Sequence, residues 1–90
     1  MKTEIVTVVN PTGLHARPAA KFVKKAMTFS STIRVENTNN GASADAKSII
    51  MLLTLALSQG TAMKITADGP DETEAVQTLA ELVEGGFGEV

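Results

Sequence analysis

The hydrophobic pattern changes period between Val9 and Ala19, and that change constrains the architecture more than any other feature. Upstream, Glu4-Ile-Val-Thr-Val-Val9 is dense in β-branched residues and predicts a strand. Asn10-Pro11-Thr12-Gly13 is a turn signal that ends it. Downstream, Ala19, Phe22, Val23, Ala26 and Met27 fall at helical spacing, which leaves Lys21, Lys24 and Lys25 for the opposite face. Pro18 would break a helix interior. In a first turn its missing N–H costs little, so it places the helix start at or just after His15.

The same two periods alternate along the remaining chain. Thr32–Glu36 alternates polar and apolar residues, as a half-buried strand does. A polar turn over 37–41 leads to a short edge strand at Ala42–Ala44. Lys47 to Leu55 predicts a short helix capped by Ser48 or Asp45, and Ser58-Gln59-Gly60 ends it. Thr61–Ala67 is the next alternating strand. Asp68 to Glu72 forms a turn and helix start, with acids where the helix dipole favours them. Val76, Leu79, Ala80 and Val83 mark an amphipathic helix stopped by Gly85-Gly86, after which Phe87 folds back on the core. The order is β-α-β-β-α-β-α, an α+β class. Its four strands form one antiparallel sheet, covered on one face by three helices and solvated on the other. Ninety residues suffice for one such domain, spanning 1–90.

Apolar residues make up 43% of the chain, enough for a core and too many for a disordered segment. There is no Cys, and the single His excludes a multi-histidine zinc site; no metal and no cofactor are expected. No basic start precedes an apolar segment, so no secretory signal is expected. The run Ile49 to Leu57 is too short to span a bilayer. A cytoplasmic protein with no membrane insertion is the simplest expectation. Eight basic against ten acidic residues, with three Phe and no Tyr or Trp, argue against nucleic-acid binding.

The one histidine stands at the mouth of the first helix, with Arg17 two residues on. Neutral imidazole is a good nucleophile toward activated phosphorus, and the P–N bond it forms is labile. A helix N-terminus offers backbone N–H groups and partial positive charge to the product. The amides of Ala16 and Arg17 lie there, and the Arg17 guanidinium can fork onto phosphate oxygens. Gly13 permits the tight turn, and Leu14 anchors the loop beneath. By itself, a single histidine near a helix start is more often a cap or a surface residue than a nucleophile.

Gly13-Leu-His-Ala-Arg-Pro-Ala-Ala20, followed by Phe22-Val23-Lys24, resembles the active-site signature of the HPr family, the histidine phosphocarriers of the bacterial phosphoenolpyruvate-dependent phosphotransferase system. The resemblance extends to Ala46-Lys47-Ser48-Ile49, to Ser58-Gln59-Gly60-Thr61 and to the C-terminal helix. It implies an open-faced β-sandwich that acts as a monomer. It also implies a carrier in which His15 takes a phosphoryl group on Nδ1 from phospho-enzyme I, assisted by Arg17, and gives it to IIA proteins or domains in sugar uptake and its regulation.

Two further sites follow. Ser48 reads locally as an N-cap; by resemblance it matches the serine modified by an ATP-dependent kinase/phosphorylase. Ile49, Ile50, Met51, Leu52 and Leu53 are apolar at every position, so one side packs on the sheet and the rest face water. That is either a buried helix or a docking patch, which by resemblance Ala16, Ala20, Lys24 and Met27 would complete. Departures from the family pattern concern the branch served. The loop from Glu36 to Ala46 is about two residues longer than the commonest pattern, and Ala56 stands where many sugar-branch members carry Gly. The Gly85-Gly86-Phe87-Gly88 tail is similar to both Gram-positive carriers and the nitrogen-branch relative. A nitrogen-branch carrier and a regulatory-only module acting through Ser48 therefore remain the alternatives.

Overall fold

The computed structural model describes residues 1–88; the span taken above as one domain includes Glu89 and Val90, which lie outside them. The elements are β1 (Lys2–Thr7), α1 (Ala16–Ala26), β2 (Thr32–Asn37), β3 (Ser43–Asp45), α2 (Ile49–Leu53), β4 (Ala62–Asp68) and α3 (Glu72–Glu84), followed by a 3-10 turn at Gly86–Gly88. The strands pair in the order β1-β4-β2-β3, antiparallel throughout.

Alternation along each strand decides the faces. Ile33 and Val35 of β2, and Met63, Ile65 and Ala67 of β4, are buried beneath the helices. Thr32 and Arg34 face solvent, with Lys64 and Thr66 beside them on the open side. From above, α1 contributes Ala19, Phe22 and Ala26, α2 contributes Leu52, and α3 contributes Ala75, Val76, Leu79, Ala80 and Val83. The arrangement is the open-faced sandwich expected from the order of periods.

The bounds differ from the sequence reading where tertiary bonds compete with local pattern. The β-branched run continues to Val9, but the β1–β4 ladder ends at Thr7 opposite Ala62. Val8 instead pairs with the turn at 60–61: its N–H donates to the Thr61 carbonyl at 2.9 Å, and its carbonyl accepts from Gly60 at 2.8 Å. The edge strand begins one residue later than expected, at Ser43. Met27, placed on the packing face of α1 by its spacing, is the C-cap and is 65% exposed. The helix expected over Lys47–Leu55 contracts to Ile49–Leu53. One reason is that Lys47 N–H is taken by the Asp45 carboxylate at 2.9 Å, in a turn that precedes the helix. Phe87 does fold back: it is buried, meets Phe22 edge-on at 6.5 Å, and adopts a left-handed φ of 57°.

Candidate functional site: the histidine at the mouth of the first helix

The loop from β1 to α1 is built on Gly13. The Asn10 carbonyl accepts from Gly13 N–H at 3.0 Å, closing the expected turn. Gly13 has φ +68°, and a Cβ there would stand 2.6 Å from the Leu57 carbonyl oxygen. Only glycine allows that approach. The next amide, Leu14 N–H, donates to the same Leu57 carbonyl at 2.7 Å, and the Leu14 side chain is buried as expected. His15 is thus delivered to the surface by a loop bolted onto the chain at 57–58.

His15 is the N-cap of α1. Its backbone is extended, and its carbonyl accepts from Ala19 N–H at 2.9 Å. Its ring does not cap the helix, as a Ser or Asp there would. The ring is half-buried, between two surface concavities. One, of about 390 Å³, is lined by Asn10, Pro11, Thr12, His15 and Arg17; the other, of about 300 Å³, by Thr12, Leu14, His15, Ala56, Leu57 and Ser58. Arg17 is exposed, and Pro18 sits buried in the first turn. That turn contains no acidic residue, whereas Lys24 and Lys25 occupy the last turn, where the dipole favours them. A guanidinium at the positive end of a helix adds to the cationic field there.

Ser48 is the N-cap of α2, and its Oγ accepts from Met51 N–H at 3.3 Å. Of the two capping candidates, Asp45 serves the preceding turn and Ser48 serves the helix. Around it, Ile50 is 73%, Met51 46% and Leu53 41% exposed, while Leu52 is buried and Ile49 half-buried. Ala16, Ala20, Lys24 and Met27 are exposed on α1, and α1 packs against α2. The wall formed by Ala56, Leu57 and Ser58 was not predicted as part of the site. The one available signal was Ala56 itself, singled out above as a departure from the pattern that the resemblance implies; it adopts φ 52°.

Fold and site together define an open-faced β-sandwich that mounts one histidine at a helix mouth. A family model described as "PTS HPr component phosphorylation site" matches residues 2–85. The chain is 52% identical to phosphocarrier protein HPr of Haemophilus influenzae, over 92% of this chain and 95% of that protein. It is 39% identical to the Neisseria meningitidis HPr, over 99% and 98%. Among solved structures, an HPr from Thermoanaerobacter tengcongensis superposes with a TM-score of 0.93 at 47% identity, covering 100% of this chain and 99% of that one. A structure described as the HPr dimer from the same organism gives 0.77 at 47% identity, covering 99% and 100%. The chain belongs to the HPr family of phosphocarrier proteins of the phosphotransferase system.

Proposed function

We propose that His15 accepts a phosphoryl group from phospho-enzyme I and passes it to IIA proteins or domains. The observation that carries this reading is a helix N-cap whose imidazole does not cap, open to two surface concavities, with Arg17 lining one of them. The Nδ1 lone pair attacks phosphorus as the donor's bond to phosphorus breaks, and the reverse step delivers the group onward. Backbone amides at the start of α1, Ala16 among them, and the Arg17 guanidinium offset the charge of the product by position alone. The lack of any acid in that turn fits an anion arriving there.

Docking is assigned to the apolar and cationic surface beside His15: Ala20 and Lys24 of α1 and its C-cap Met27, with the half-buried Ile49 and the exposed Ile50, Met51 and Leu53. Ser48, half-buried at the edge of this surface, is the site where a serine kinase/phosphorylase would add a regulatory charge, disfavouring an acidic partner. The protein works as a cytoplasmic monomer, and no helix among its described residues is long and apolar enough to cross a membrane.

Incubation with enzyme I and phosphoenolpyruvate tests the main claim. The expected product gains one phosphoryl group that is acid-labile and base-stable, and His15→Ala abolishes it. An unmodified wild-type chain would refute the proposal. Modification only by ATP and a kinase, mapping to Ser48, would favour a regulatory-only module. Sedimentation at working concentration decides between a monomer and a dimer.

A further inference from the structure

We infer that Asn10 is a positioning residue for His15, acting through the peptide groups on either side of Gly13; the inference rests on His15 being the phosphoryl acceptor. Asn10 belongs to a turn at the surface, yet it is fully buried. Its backbone carbonyl accepts from Gly13 N–H at 3.0 Å, and its side-chain Nδ2 donates to the Gly13 carbonyl at 2.5 Å. One residue therefore grips both polar groups of Gly13. On the far side of that residue, Leu14 N–H is held by the Leu57 carbonyl at 2.7 Å. The peptide planes on either side of Gly13 are therefore both fixed, two residues before the imidazole is reached.

The choice of an amide here carries a penalty that the turn does not explain. Asn10 Oδ1 is buried and has no hydrogen-bond partner among the described residues. Burying a carbonyl without a donor is unfavourable, and an apolar residue would avoid it. What an apolar residue could not supply is the N–H donated to Gly13. The site keeps that donor at the expense of an orphaned acceptor, and it does so at the wall of the cavity that His15 and Arg17 share. Consequently the Asn10–Gly13 clasp holds the imidazole in line with the amides of α1, the geometry in which an incoming phosphoryl group meets nucleophile and donors together.

Phosphoramidate tests this without a partner protein. The imidazole lone pair attacks its phosphorus, the donor's P–N bond breaks, and the nitrogen leaves as ammonia. Charging is followed by 31P NMR for the wild type, Asn10→Ala and Asn10→Asp, and the His15 ring is titrated by NMR in the same samples. With amide spectra showing folded variants, both should charge about tenfold or more slowly. Asn10→Asp should be no faster than Asn10→Ala, because a carboxylate cannot donate to the Gly13 carbonyl. The His15 titration midpoint should move in Asn10→Ala, which a residue that merely supports the turn would not cause. Wild-type charging with an unmoved midpoint in either variant overturns the inference, as does Asn10→Asp outpacing Asn10→Ala. If the wild type itself takes no phosphoryl group, the reading of His15 fails, while the midpoint in Asn10→Ala still decides the clasp. Should neither variant fold, hydrogen exchange in the wild type decides: the Asn10 side-chain amide, which donates to the Gly13 carbonyl, is expected to be protected, and free exchange there rules the clasp out.

Discussion

Gly13 and Arg17 show how differently two neighbours of one histidine can be read. Arg17 could be singled out from the sequence because a guanidinium's chemistry is carried by its residue type, and the residue is exposed, as the sequence led us to expect. Arg17→Glu should leave thermal unfolding nearly unchanged while slowing phosphoryl transfer about a hundredfold, the scale of losing one preorganised charge donor. Transfer at the wild-type rate would remove the guanidinium from the mechanism. Gly13 was legible only as a turn residue. Its real constraint is the Leu57 carbonyl, 2.6 Å from where a Cβ would sit. A contact between residues so far apart in sequence leaves no local pattern, and the same blindness hid Leu57 and Ser58. Gly13→Ala should cost about 1–3 kcal/mol from forced left-handed geometry and displacement of the 57–58 backbone. Urea unfolding measures it, and a loss under half a kcal/mol would mean the loop relaxes freely.

At the scale of the element, α2 divides its own apolar residues between the core and the surface. Its five apolar positions gave no amphipathic pattern, so the sequence could say only that some must face water. The structure separates them: Leu52 is fully buried, whereas Ile50 is 73% exposed. Leu52→Ala should therefore destabilise by about 2–5 kcal/mol, while Ile50→Ser should fall within about 0.5 kcal/mol of wild type. Isothermal titration with enzyme I should show the opposite order, with Ile50→Ser weakening association and Leu52→Ala sparing it where the chain remains folded. The helix ends were less legible than its existence. Bonds from outside the segment trim them: Lys47 reaches back through Nζ to the Phe29 and Ser31 carbonyls at 2.8 and 3.0 Å, and Asn37 Nδ2 donates to the Leu55 carbonyl at 2.8 Å. Ser48→Ala removes the cap from this short helix and should cost about 1 kcal/mol, read from the same urea curves.

Across the whole molecule, the alternation of strand and helix periods was enough to give the sheet and its covered face, because each element must bury its own apolar side. It was not enough to show how distant elements are tied. Asp71 was expected at a helix start for its charge, and it is the N-cap of α3, yet its side chain makes no cap bond. Its carboxylate instead reaches across to the chain entering β2. It accepts from Ser30 N–H at 2.9 Å, from Ser31 N–H at 3.0 Å, and from both serine hydroxyls. The Ser31 hydroxyl is the main cause, followed by the Ser30 amide, that holds its pKa at about 2 against an ordinary 3.8. A carboxylate with a depressed native pKa stabilises the fold fully above its unfolded value and loses that contribution as pH falls through the native one. Stability should therefore decline between about pH 4 and pH 2 as Asp71 protonates. Asp71→Asn should flatten that part of the curve without altering its shape near neutrality. Some slope should survive in the variant, because the Met1 amino group, 2.7 Å from Glu72, holds that carboxyl below its ordinary value as well. Urea midpoints taken across this range decide the matter: a variant whose acid slope equals the wild type's would show that the tie between α3 and β2 is not what acid breaks.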